Sequence, residues 1–173
     1  TENCIAWSVA QIKRGCDAIK VSSPYAGGSF ISREHYREFI FPYEKRLADA
    51  VKEAGGYIYT HTCGSIGDRL DLMVKSGVSG IECLDPPPLG NVELKDAVDA
   101  WQEKIFIKGN VDSVNTLLLK ERDEVIKDVE QVLAEGSQAP GYIMSTACSV
   151  APAVPVENLQ AMVEVVRNYN QTK

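Results

Sequence analysis

Residues 57–85 read Tyr57-Ile58-Tyr59-Thr60-His61-Thr62-Cys63-Gly64-Ser65-Ile66-Gly67-Asp68-Arg69-Leu70-Asp71-Leu72-Met73-Val74-Lys75-Ser76-Gly77-Val78-Ser79-Gly80-Ile81-Glu82-Cys83-Leu84-Asp85. The β-branched and aromatic run 57–61 predicts a strand that ends in a turn at Thr62-Cys63-Gly64. Residues 66–76 place Ile66, Leu70 and Val74 on one face of a helix that stops at Gly77. Gly80-Ile81-Glu82-Cys83-Leu84 is again a strand, followed by the stiff loop Asp85-Pro86-Pro87-Pro88. A strand, a covering helix and a second strand at this spacing form a right-handed βαβ unit, which requires parallel pairing.

The same alternation extends in both directions. Upstream, a helix over 2–14 precedes a strand at 17–22 and a loop of small residues, Ser23 to Ser29. Ser32 then caps one long helix over 33–54, bent at Pro42 and stopped by Gly55-Gly56. Downstream come a helix at 93–101, a strand at 104–109 opening into Asn110-Val111-Asp112, and a helix at 120–135 ending at Gly136. A strand at 142–145 and a helix at 156–169 complete the order. About five parallel strands alternating with helices leave two architectures, a doubly wound open sheet or part of a (β/α)8 barrel. No G-x-G-x-x-G follows the first strand, so a dinucleotide fold has no support.

The composition narrows the functional classes. The 173 residues carry 18 Lys and Arg against 24 Asp and Glu, a formal charge of −6 with no basic block. That argues against binding nucleic acid or an anionic membrane. No apolar run reaches the length of a membrane-spanning helix. Five cysteines, an odd number scattered over positions 4, 16, 63, 83 and 148, do not form a disulfide scaffold and imply a reducing, cytoplasmic setting.

In either α/β architecture the chemistry lies at the C-terminal ends of the strands. Those ends supply Ser22-Ser23, His61-Thr62-Cys63, Glu82-Cys83-Leu84-Asp85, Asn110-Val111-Asp112 and Ser145-Thr146-Ala147-Cys148. Strand alternation turns His61 and Cys63 to the same side, and Cys148 ends a strand that can curve round to face them. One imidazole and two thiolates leave a coordination position open, the pattern of a catalytic zinc. The alternative is that Cys63, Cys83 and Cys148 are small buried hydrophobes and His61 a hydrogen-bonded core residue.

Four ordered motifs bear on that choice: Ser32 to Pro42, His61-Thr62-Cys63-Gly64, Lys108-Gly109-Asn110-Val111-Asp112, and Cys148 leading to Pro152-Ala153-Val154-Pro155-Val156-Glu157-Asn158-Leu159. In this order they resemble the C-terminal half of the uroporphyrinogen decarboxylase superfamily, a (β/α)8 barrel, over nearly the whole chain. The resemblance implies a single partial barrel domain over 1–173. Tetrapyrrole decarboxylases carry a substrate-contacting histidine shortly before the Pro-x-x-Pro-x-Glu-Asn segment, where this chain has Cys148. The branch of zinc-dependent methyltransferases that work with corrinoid proteins uses His-x-Cys and this distant Cys as zinc ligands, a pattern matched by His61, Cys63 and Cys148.

What the resemblance implies is methyl transfer between a corrinoid (cobalamin) carried by a partner protein and a small substrate, either an aryl methyl ether or a thiol such as coenzyme M. Zn2+ would activate the substrate thiol or oxygen. Glu82 is then a fourth ligand that leaves on substrate binding or an acceptor that orients His61. Asp112 and Asn110 belong to a motif that shapes the loop or takes part in catalysis and substrate binding. Tyr25 lies where the superfamily places substrate contacts, although Ser22-Ser23 stand where an acidic residue is expected. His35 reads as a surface or packing histidine. The rivals are a uroporphyrinogen-type decarboxylase and an inactive scaffold fragment.

A (β/α)8 barrel takes about 250 residues, so five strands in 173 residues cannot close one. The expectation is therefore a fragment of a longer chain whose open sheet edges pair with a second copy as a homodimer.

Overall fold

The computed structural model describes residues 1–101 and 105–171. Helix α1 (Glu2–Lys13) leads to β1 (Ala18–Ser22) and a short 3-10 turn, Pro24–Ala26. The long helical stretch expected at 33–54 is three pieces: α2 (Arg33–His35), a π-turn (Tyr36–Ile40) and α3 (Phe41–Glu53). Pro42 does not bend the interior of a helix. It occupies the first turn of α3, where its missing N–H is not needed, and the wide π-turn directly before it absorbs the change in winding. Ser32 caps the start as expected, accepting a hydrogen bond from the His35 N–H at 3.2 Å. Gly55, with φ of 88°, ends α3 in the left-handed conformation that glycine adopts at little cost.

Strand β2 (Tyr57–Thr62) is followed by a 3-10 turn, Gly67–Arg69, and a short α4 (Leu70–Lys75) in place of one regular helix over 66–76. Strand β3 (Gly80–Cys83), α5 (Leu94–Trp101), β4 (Phe106–Val111), α6 (Arg122–Gly136), β5 (Tyr142–Thr146) and α7 (Val156–Gln171) complete the chain. Two expectations are corrected here. The fourth strand runs on through Asn110 and Val111, which pair with Ser145 and Thr146, so these residues are not loop; Lys104, expected at its start, lies outside the described residues. Gly136 is the last residue of α6, with Ser137 beyond it. Its role is space, because a Cβ there would stand 2.3 Å from the Tyr142 ring.

All neighbouring strands are parallel, and their spatial order, β1-β2-β3-β4-β5, is their order in the chain. A doubly wound sheet reverses direction at a switch point; this sheet has none. It is an arc of a (β/α) barrel. β1 and β5 are each paired on one side only among the described residues.

Alternation assigns the two faces. Ile19, Ile58, Ile81, Ile107 and Val111 point outward into three apolar clusters beneath the helices. The concave face is polar: Lys20, Tyr59, His61, Glu82, Lys108 and Asn110 share it by register. Barrel interiors are usually filled with branched aliphatic side chains, and here the layer below the strand ends is charged instead. No described helix is long and apolar enough to cross a membrane.

Candidate metal centre

His61 belongs to β2, Cys63 follows that strand by one residue, Cys83 ends β3 and Cys148 follows β5. Laid flat at about 4.8 Å per strand, β2 and β5 would stand roughly 14 Å apart. Yet the Cys63 and Cys148 sulfurs are 3.6 Å apart, because the sheet curls. The His61 Nε2 lies 3.1 Å from the Cys63 sulfur, and the donor atoms of His61, Cys63, Cys83 and Cys148 all fall within 4.8 Å of one another. Tetrahedral zinc with these ligands spaces its donor atoms by about 3.5–3.8 Å. The soft donor set and its spacing therefore fit a zinc ion.

The surroundings hold these four residues in place. The Gly64 N–H donates to Asp85 Oδ2 at 2.7 Å, tying the turn after Cys63 to the loop after β3. The Gly28 N–H donates to the Ser65 carbonyl at 2.6 Å, and a Cβ at Gly27 would meet the Cys63 carbonyl oxygen at 2.5 Å. That approach is open only to glycine, which explains Gly27. Ala147 N–H donates to the Val111 carbonyl and Thr146 Oγ1 to the Cys148 carbonyl, fixing the chain after β5. Cys83 and Leu84 hold φ values of 93° and 56°, a conformation that costs a non-glycine residue on the order of 1–3 kcal/mol. The Asn110 side-chain amide donates to the Leu84 carbonyl at 3.0 Å and braces that strained pair.

Behind the imidazole stands Glu82, with Oε2 at 3.5 Å from His61 Nδ1. Lys20 contacts the same carboxylate at 2.7 Å, and Lys108 pairs with its other oxygen. Glu82 is buried, which by itself raises its pKa, but the two ammonium groups outweigh that and hold it below the ordinary carboxylate value. For His61, burial and then the Lys20 charge lower the pKa against the opposing pull of Glu82 and Asp85, favouring the neutral imidazole that a metal requires. Burial, then the Cys148 thiol, push Cys63 up to about 11. Cys83 is pushed up further, by burial first and then by Asp85.

The residues singled out in the sequence thus separate. His61, Cys63 and Cys148 meet. Glu82 is not among the clustered donors; it faces the opposite nitrogen of His61, the place of a group that orients a ligand. Asp112 spends both carboxylate oxygens on the turn that follows β4, accepting from the Val114 N–H, the Asn115 N–H and the Asn115 side-chain amide, each at 2.8 Å. Asn110 is buried against Leu84. Tyr25 is exposed at the mouth, its ring edge-on to Phe30 at 5.3 Å, on the loop that rests against Ser65. His35 is exposed beside Phe39. Sequence reasoning missed Cys83 as a member of the cluster, and Lys20, Lys108 and Asp85 as its support. The available signal was a lysine at an inward position of each of two otherwise apolar strands, Lys20 between Ile19 and Val21, and Lys108 after Ile107.

Residues 1–169 match the model of the uroporphyrinogen decarboxylase (URO-D) family. The chain belongs to the URO-D family. Among its relatives is a methylcobamide:CoM methyltransferase, MtbA, of Methanosarcina acetivorans, 33% identical over 95% of this chain and 46% of that protein. A uroporphyrinogen decarboxylase of Carboxydothermus hydrogenoformans is 28% identical over 95% of this chain and 44% of its own length. A solved methyltransferase from Methanosarcina mazei superposes with a TM-score of 0.83 at 23% identity, over 98% of this chain and 47% of the other. This URO-D chain spans about half the length of the curated relatives it matches, and the superposition identifies its five strands as an arc of the same fold.

Proposed function

We propose that the chain carries the zinc centre of a corrinoid-dependent methyltransferase, moving a methyl group between a small substrate (an aryl methyl ether, or a thiol such as coenzyme M) and a corrinoid held by a partner protein. The observation that carries this reading is the convergence of His61, Cys63 and Cys148, with Glu82 behind the imidazole. Relatives named as methylcobamide:CoM methyltransferases, MtbA and MtaA, support it. Decarboxylase relatives of 27–28% identity keep the rival alive, but decarboxylation gives no role to a packed set of thiols and an imidazole.

His61, Cys63 and Cys148 are the residues to hold zinc. When bound, zinc supplies Lewis acidity, lowering the pKa of a substrate thiol or polarising an ether oxygen. His61 presents Nε2 to the site while its Nδ1 faces the Glu82 carboxylate at 3.5 Å, and Lys20 and Lys108 hold Glu82 ionised there. Tyr25 and Phe30 offer an apolar rim on which a small substrate can rest, and Asn110 and Asp112 hold the loops beneath it. The edges of β1 and β5 are to be covered by a second copy of the chain or by the rest of a longer one, and the natural setting is the cytoplasm.

The test is zinc content by elemental analysis, followed by methyl transfer from methylcobalamin to a thiol and from methoxyaromatics to cob(I)alamin. The expected result is stoichiometric zinc that is lost in Cys63→Ala and Cys148→Ala. A chain that stays metal-free after zinc is added overturns the reading.

A further inference from the structure

We infer that Cys83 is the fourth donor of this centre, a third thiolate that closes the site until a substrate sulfur or oxygen takes its place. The inference rests on the zinc reading above and deepens it. Its sulfur belongs to the set of four donor atoms lying within 4.8 Å of one another, a spacing that small side-chain movements bring to that of a tetrahedral ion.

The backbone gives a second, independent reason. Cys83 shares its parity in β3 with Ile81, which is buried in the core under the helices. The register partner of His61 is Glu82, one residue earlier, so a regular strand would carry the Cys83 thiol away from the imidazole. The left-handed φ values at Cys83 and Leu84 break the alternation at this point, and the thiol joins His61 and Cys63. A packing cysteine has no need of that conformation.

A third observation concerns what waits beside it. Asp85 is buried and uses Oδ2 on the Gly64 N–H, while Oδ1 has no hydrogen-bond partner in the protein. Four protein donors make a closed site and three an open one, so a catalytic centre of this composition must release one. Cys83 is the donor whose backbone is strained, and the unpaired Oδ1 of buried Asp85 lies two residues further along the same turn. With a thiol substrate the exchange would balance: Cys83 would yield its place on the ion to the substrate sulfur and take up the S–H proton that the substrate gives up.

The experiment uses the chain loaded with zinc or with Co2+ alone, read by X-ray absorption at the metal edge and by thiolate-to-cobalt charge-transfer absorption. Unaltered protein is expected to show three sulfurs and one nitrogen. Cys83→Ala should show two sulfurs, with charge-transfer intensity down by about one-third, one thiolate in three. Its zinc affinity should fall by at least about tenfold, the low end of the loss seen for partners that do not touch the metal. Adding 2-mercaptoethanol should restore a third sulfur in Cys83→Ala and leave the count at three in the unaltered chain. Cys83→Gly, which accepts φ of 93° without strain, provides the same readout if the alanine variant folds poorly. Two sulfurs in the unaltered chain, with a spectrum equal to that of Cys83→Ala, overturn the inference while leaving the zinc centre standing. Failure of the unaltered chain to take up either metal overturns both.

Discussion

Two of the charged groups withdrawn from water in this molecule, Arg69 and Glu82, are treated in opposite ways. Arg69 has a fully buried side chain whose guanidinium donates to the Ala26 carbonyl at 2.9 Å, the Ile31 carbonyl at 3.0 Å and the Asp68 carboxylate at 2.8 Å, above the Tyr36 ring. Every contact is to the protein itself, and together they fasten the loop after β1 to the turn before α4. Glu82 is 8% exposed, and its neighbours Lys20, Lys108 and His61 all face the concave side of the sheet. Two ammonium groups meet one carboxylate there. The lesson is that a buried charge with all its partners inside the scaffold builds the scaffold, whereas one that relays to a metal-competent imidazole builds a site.

The comparison can be broken at either end. Arg69→Met should cost about 3 kcal/mol in urea-induced unfolding, because two backbone carbonyls lose their donor and Asp68 its partner. Zinc bound per folded molecule should not change; a selective loss of zinc would erase the distinction. Glu82→Gln should do the reverse. Zinc affinity, measured by competition with a chelator, is expected to fall roughly 10–100-fold, with a smaller change in unfolding midpoint than Arg69→Met. A large loss of stability with zinc affinity intact would make Glu82 a second Arg69.

Smaller effects sharpen the same contrast. Asp112→Ala removes the acceptor for two backbone N–H groups and should destabilise by about 1 kcal/mol, with zinc affinity unchanged. A tenfold loss of zinc affinity would return Asp112 to the site. The smallest effect concerns Arg33 and Asp71, which clasp the same loop region as Arg69 but at the surface, at 2.6 and 3.0 Å. The Arg33 hydrogen bond holds Asp71 near a pKa of about 2, below its ordinary 3.8. Its folded-state pKa is depressed, so the stability it adds is complete above 3.8 and is lost as pH falls through the folded value of about 2. With half-exposed partners, solvent screening limits that contribution to about 0.5 kcal/mol. Asp71→Asn should therefore unfold slightly earlier than the unaltered chain near neutrality, and the gap should close toward pH 2.

The strands were legible because short apolar runs set between helical periods match the buried strands of a parallel sheet and little else. The strand ends then followed from parallel pairing. His61 and Cys63 could be placed together from alternation alone. The π-turn at 36–40 was not legible, because Pro42 signals a break in winding without saying whether the chain kinks or widens. Arg69 gave no signal, since nothing local marks the distant carbonyls of Ala26 and Ile31 as its partners. Glu82 could be named but not assigned, because its role turns on which imidazole nitrogen it faces.

Local sequence thus determined the alternation of strands and helices, the edge on which chemistry collects, and the residue types gathered there, since these depend on period, turn chemistry and strand polarity. Tertiary structure alone decided that Cys148 reaches Cys63 across two intervening strands, that Cys83 leaves its face of the sheet to join them, and that Lys20 and Lys108 converge on Glu82. Those outcomes depend on sheet curvature and on two left-handed residues after Glu82. Both are set by packing between segments far apart in the chain, which no window of sequence contains.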